Sequence, residues 1–148
     1  MAIWSAIRHK LENEYLAESL CGHIRYFATT YRESHDQEGR AAIYYDGQEV
    51  IAGAYYHRDH PMDWYPEIET DEVIRMGGFD QRSFYAAFHD FDNQSIEESL
   101  KSSNLLIRIF ALLDRRVGKR RLLAMKEQMP QESETVQTFY RIRLEAEG

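Results

Sequence analysis

The apolar positions change their period along the chain, and the changes mark out its elements. Ile3, Ile7 and Leu11 recur every four residues, with Trp4, Leu11 and Tyr15 on an adjacent stripe. This spacing predicts an amphipathic helix over about residues 3–20, ending before Gly22. From Ile24 to Arg32 the sequence turns aromatic and β-branched, which predicts a strand. A polar loop, Glu33 to Gly39, leads to a second strand at Arg40 to Tyr45. Asp46-Gly47 then marks a type I′ hairpin turn, because both central residues must take positive φ. The third strand is predicted over Gln48 to His57, and Glu67 to Glu69 reads as a short edge strand beyond a loop holding Pro61 and Pro66.

The second half reads as helical. Thr70 is placed to cap a short helix stopping at Gly77-Gly78, and Asp80 to cap another bearing Phe84, Ala87, Phe88 and Phe91. Ser95 and Glu98 have capping-box spacing. Ser103 or Asn104 starts a stronger helix carrying Leu106, Ile109, Phe110, Leu113 and Val117, with Gly118 as its stop. Lys119 to Met129 is expected as a helix closed by Pro130. A final helix is expected over Glu134 to Ala146, although Tyr140 to Leu144 alternate in a way that also suits a strand. Strands and helices are therefore segregated, which predicts an α+β domain. It comprises an N-terminal helix, a three- to four-stranded antiparallel meander and a helical C-terminal half packed on one sheet face.

Composition narrows the class. The 148 residues fit one domain spanning 1–148, and the net charge of −7 argues against general binding to nucleic acid or anionic membrane. Cys21 is the single cysteine, so no internal disulfide can form and a reducing compartment is expected. No secretory signal is expected, since Lys10, Glu12 and Glu14 interrupt the N-terminal apolar run. The most apolar stretch, Leu105 to Leu113, is far too short to span a bilayer. Cytoplasmic localisation follows as the expectation.

Charge is unevenly spread. Residues 101–126 hold eight Lys or Arg and one acid, Asp114, a net of +7, whereas the remainder carries a net of −14. Within that segment Arg115, Arg116, Lys119, Arg120 and Arg121 form the candidate anion-binding cluster. Read as the last turn of one helix, Arg115 and Arg116 suit the dipole; read as the first turn of the next, Lys119, Arg120 and Arg121 oppose it. The cluster therefore calls for anions. Carboxylates of the same molecule are the favoured partners, with at least two of the arginines in salt bridges, and an external phosphate or nucleic acid is the rival.

The stretch SIEESLKSSNLLIRIFALLDRRVGKRRL, residues 95–122, resembles the C-terminal signature, DRRVGKR, of a family of small uncharacterised bacterial cytosolic proteins. The likeness extends to the N-terminal helix, to the aromatic strand Arg25 to Tyr31 and to the close at Gln137-Thr138-Phe139-Tyr140, and is weakest over residues 58–80. The resemblance implies a kind of protein and brings neither an activity nor catalytic residues.

Two further constellations stand out in the sequence. His35 and Asp36 follow the first predicted strand, and His57, Asp59, His60 and Asp63 follow the third, so a meander could bring them to one sheet end. Surface loops are the simpler reading, and no metal or cofactor is expected. Tyr26, Phe27, Tyr31, Tyr44, Tyr45, Tyr55 and Tyr56 make both sheet faces partly apolar, so one face needs cover from the chain itself, a second copy or a partner. Cys21, before Gly22 at a helix C-terminus, is a poor nucleophile candidate, and the chain has no P-loop, Rossmann or Gly-x-Ser-x-Gly motif. A non-enzymatic protein-interaction or regulatory protein is the leading expectation, with a protein partner or self-association. A phosphate- or nucleic-acid-binding protein comes second, and a small metal-dependent or hydrolytic enzyme using the His/Asp loops third.

Overall fold

The computed structural model describes residues 4–30, 39–54 and 81–148. The His/Asp loops, the edge strand at 67–69, the helix beginning at Thr70, the cap at Asp80, and Tyr31, Tyr55 and Tyr56 lie outside the described residues.

Helix α1 spans Trp4–His9 and runs into one wider π turn, Lys10–Glu14, in which the Tyr15 N–H donates to the Lys10 carbonyl at 2.8 Å. A short 3₁₀ turn, Glu18–Leu20, ends the segment. The single helix expected over 3–20 is thus broken. Glu12 explains the break: its side chain is 5% exposed and turned inward, where it accepts the Tyr26 N–H at 2.8 Å and hydrogen bonds from Arg25 (2.9 Å) and Arg8 (3.1 Å). It thereby occupies a backbone donor on an edge strand, a group that would otherwise invite pairing.

Strands β1 (Ile24–Thr30), β2 (Gly39–Tyr45) and β3 (Gln48–Ala54) form an antiparallel sheet in the order β1-β2-β3. Asp46 (φ 48°) and Gly47 (φ 82°) make the left-handed pair that the two-residue turn requires. The turn is tied back by the Asp46 N–H to the His23 carbonyl at 2.8 Å. Ile24, Tyr26, Ala28, Ala41 and Ile43 are buried on the helix-facing side, with Tyr45 packed beside them; Arg25 and Phe27 point the other way.

Helix α2 (Gln81–Asp92) lies against β1 and β2. Ser95 and Glu98 form the reciprocal capping box of α3 (Ile96–Leu100), and the Asn104 side chain accepts from the Leu106 and Ile107 N–H groups to start α4 (Leu105–Leu112). Seven of the eight α4 residues are buried, as expected of a helix that is apolar nearly all round, and it packs on α2, α3 and the last helix. Two short elements follow, α5 (Lys119–Ala124) and a 3₁₀ turn at Met129–Gln131. The chain closes with α6 (Glu134–Ala146), capped by Ser133, so the strand alternative there is set aside. Edge-on aromatic contacts knit the layers: Tyr26 with Phe110, Phe84 with Phe110, and Tyr15 with Phe91.

Candidate functional site

The basic cluster sits where α4 gives way to α5, and the structure corrects the helix expected to run through Val117. Helix α4 stops at Leu112, and Leu113 to Val117 form a turn in which Leu113, Asp114 and Val117 are buried and Arg115 and Arg116 are exposed. The i,i+4 spacing of Leu113 and Val117 mimics helix, but the chain leaves it because the turn is pinned from two sides. On one side, Leu16 and Asp114 pair as a β-bridge, with the Ala17 N–H on the Leu113 carbonyl (2.8 Å) and the Arg115 N–H on the Tyr15 carbonyl (2.7 Å). On the other, Arg143 of α6, 1% exposed, donates to the carbonyls of Leu112 (2.8 Å), Asp114 (2.7 Å) and Val117. The Leu112 carbonyl is one that the helix end leaves unpaired, and the Asp114 carbonyl also accepts the Val117 N–H at 3.1 Å. Burial pulls the Arg143 guanidinium below its ordinary range, Glu147 opposes that shift, and Arg143 Nε lies 3.6 Å from the Glu147 carboxylate.

Each basic residue of the cluster has its own place. Arg115 reaches back to the end of the first helical segment, donating from Nε to the Leu16 carbonyl (3.0 Å) and from Nη2 to the Asn13 carbonyl (2.7 Å). Arg116 grips the fully buried Asp114 through Nε (3.0 Å) and Nη2 (2.9 Å), and the same carboxylate accepts the Arg116 N–H at 2.7 Å. Its guanidinium also covers the rings of Tyr15 (5.2 Å) and Phe91 (5.6 Å). The hydrogen bonds to Asp114 raise the Arg116 pKa above its ordinary value. Arg121 pairs with Glu97 through two hydrogen bonds, which hold the Glu97 carboxyl below the usual carboxylate range. Lys119 donates to the Gly148 carbonyl at 3.2 Å. Arg120 is exposed and has no partner among the described residues, and Leu123, three positions on, is 51% exposed.

Two of the arginines are therefore in salt bridges, Arg116 and Arg121. Of these two, Arg121 pairs with an acid outside the basic segment, whereas Arg116 takes the segment's own acid. Arg115 and Arg116 lie in the turn rather than in the last turn of a helix. Lys119, Arg120 and Arg121 do open the next helix.

Beside this turn a second set of groups converges. The Tyr15 hydroxyl donates to Asp92, which also takes Lys10 Nζ at 3.3 Å. Burial first, then that hydrogen bond, pushes the Tyr15 hydroxyl up to about 12. Among the described residues no three His, Cys, Asp or Glu side chains group as metal ligands, and Cys21 Sγ faces the carbonyls of Ala17 (3.6 Å) and Glu12 (3.8 Å).

Glu12 and Arg143 are buried charges that the sequence pattern did not single out. Arg143 left a trace: with Val136, Phe139 and Tyr140 it shares one apolar stripe of α6, the place where a cation needs carbonyl partners.

A family model described as the SF0329 protein family matches residues 3–144. The chain belongs to that family. The SF0329 match takes in the whole turn, the helices on either side of it and the sheet. No curated protein and no solved structure matches the chain.

Proposed function

We propose that this SF0329 protein is a non-enzymatic binding protein that works by contacting another protein through the outer side of α5. One observation carries the reading: α5 presents exposed Leu123 beside Arg120, which has no partner among the described residues, whereas Arg115, Arg116 and Arg121 next to it are already bonded. Arg120 and Leu123 are three residues apart, hence neighbours on one helix side, and an arginine next to an apolar anchor is a combination that interfaces favour. Under this reading the DRRVGKR segment, residues 114–120, divides in two. Asp114 to Val117 build the turn, Lys119 donates to the Gly148 carbonyl, and Arg120 is left for a partner in a bacterial cytosol.

The test is a photo-crosslinking residue at position 123, with a control at exposed Ser5, in cells of the native host. A discrete protein adduct from position 123 that disappears with Arg120→Glu supports the proposal. Equal labelling from both positions contradicts it. The rival, nucleic-acid binding by the cluster, predicts a gel shift that weakens steeply with salt and vanishes in Arg120→Glu/Arg121→Glu.

A further inference from the structure

A separate cleft of about 350 Å³ opens between the end of α3, α4 and the 125–132 turn, near the lower end of the range of about 300–1,000 Å³ usual for small-molecule sites. Its exposed lining is mostly polar; Leu112, Met129 and Val136 are buried, and half-buried Leu100 and Met125 supply the apolar surface. Its rim is rich in donors. Arg108 uses one terminal nitrogen on Glu132 at 2.6 Å, and its remaining N–H groups have no partner among the described residues. Ser102 accepts the Asn104 N–H at 3.0 Å through its oxygen, which leaves the hydroxyl proton to donate. Lys101 is exposed and forms no ion pair among the described residues, and the Gln128 amide adds a further donor.

We infer that this cleft binds a small organic anion, with its charged head against Lys101 and Arg108 and a short apolar body on Leu100 and Met125. The charges fit a single negative head: Lys101 and Arg108 are cations, and Glu132 already neutralises one of them. An anion would add charge-assisted hydrogen bonds on the unused side of the guanidinium, leaving the Glu132 pair intact. Met125, a flexible side chain, suits a body of adaptable shape. Carboxylate and phosphate share this head chemistry. The inference does not rest on the α5 proposal, since neither Arg120 nor Leu123 lines the cleft.

Amide NMR titration of the full chain tests it with four probes: hexanoate, butyl phosphate, neutral hexanamide and inorganic phosphate. Saturating shifts at Ser102, Leu112 and Gln128 are expected with hexanoate or butyl phosphate, and the tighter of the two identifies the head group. Hexanamide and inorganic phosphate should bind about tenfold or more weakly, lacking the head or the body respectively. Lys101→Ala should weaken binding about fivefold. Arg108→Gln/Glu132→Gln, which removes the ion pair as a unit, should abolish it while the spectrum outside the cleft is kept. Hexanamide or inorganic phosphate binding as tightly as the alkyl anions would overturn the inference, as would an unchanged titration in the double variant or no saturation with either anion.

Discussion

Arg116 and Arg120 stand four residues apart in one basic run and end in different surroundings. Arg116 closes on buried Asp114 and over two aromatic rings; Arg120 projects outward with no partner among the described residues. The difference follows from which helix end each one meets. Arg115 and Arg143 face segments that have just left a helix, where carbonyls lack intrahelical partners and a guanidinium can satisfy two or three at once. Lys119 and Arg120 stand in the first turn of α5, where the unpaired groups are N–H donors that a cation cannot satisfy. Density of arginine in a sequence therefore says less than the polarity of the backbone it lands on.

The comparison can be broken most forcibly at Arg143. Arg143→Met should cost about 3–5 kcal/mol of unfolding free energy, because it strands the carbonyls of Leu112 and Val117 and leaves that of Asp114 with the Val117 N–H alone. Urea denaturation measures this, and a loss below about 1 kcal/mol would mean that water replaces the guanidinium. Asp114→Ala comes next, at about 2–3 kcal/mol, since it removes three hydrogen bonds from Arg116 at once.

Alkaline pH sharpens the same contrast through Tyr15, whose ring lies under Arg116. Its pKa is raised from 10.0 to about 12, so the folded state favours the neutral hydroxyl. The stability it lends is complete below pH 10 and is lost as pH rises toward about 12. Denaturation measured across that window should fall less steeply in Tyr15→Phe than in the unaltered chain, and absorbance titration should lose one late-ionising tyrosine.

How much of this the sequence disclosed depends on whether the cause was local. The Asp46-Gly47 turn, the Ser95–Glu98 box, the Asn104 cap and the bounds of α6 rest on contacts within a few residues, and a one-dimensional reading finds them. The break in the first helix was hidden because Ile7, Leu11 and Tyr15 keep helical spacing, while its cause, Glu12 on the Tyr26 N–H, spans 14 residues. The early end of α4 was hidden in the same way by Leu113 and Val117, which are buried by a turn held from Arg143, about 30 residues on. For the cluster, the sequence located the residues and favoured internal pairing. It could not assign partners, because the five groups that accept hydrogen bonds from Arg115 and Arg143 are backbone carbonyls, which carry no sequence identity.

Matched double variants test the central contrast most directly. Arg115→Ala/Arg116→Ala and Lys119→Ala/Arg120→Ala each remove two positive charges from the same run, so their net charges stay equal. Chemical denaturation should show a loss of about 2–4 kcal/mol for the first pair and a change within about 0.5 kcal/mol for the second. Equal losses for the two pairs, or a larger loss for Lys119 and Arg120, would contradict the division between a turn that holds the fold and a face left open for a partner.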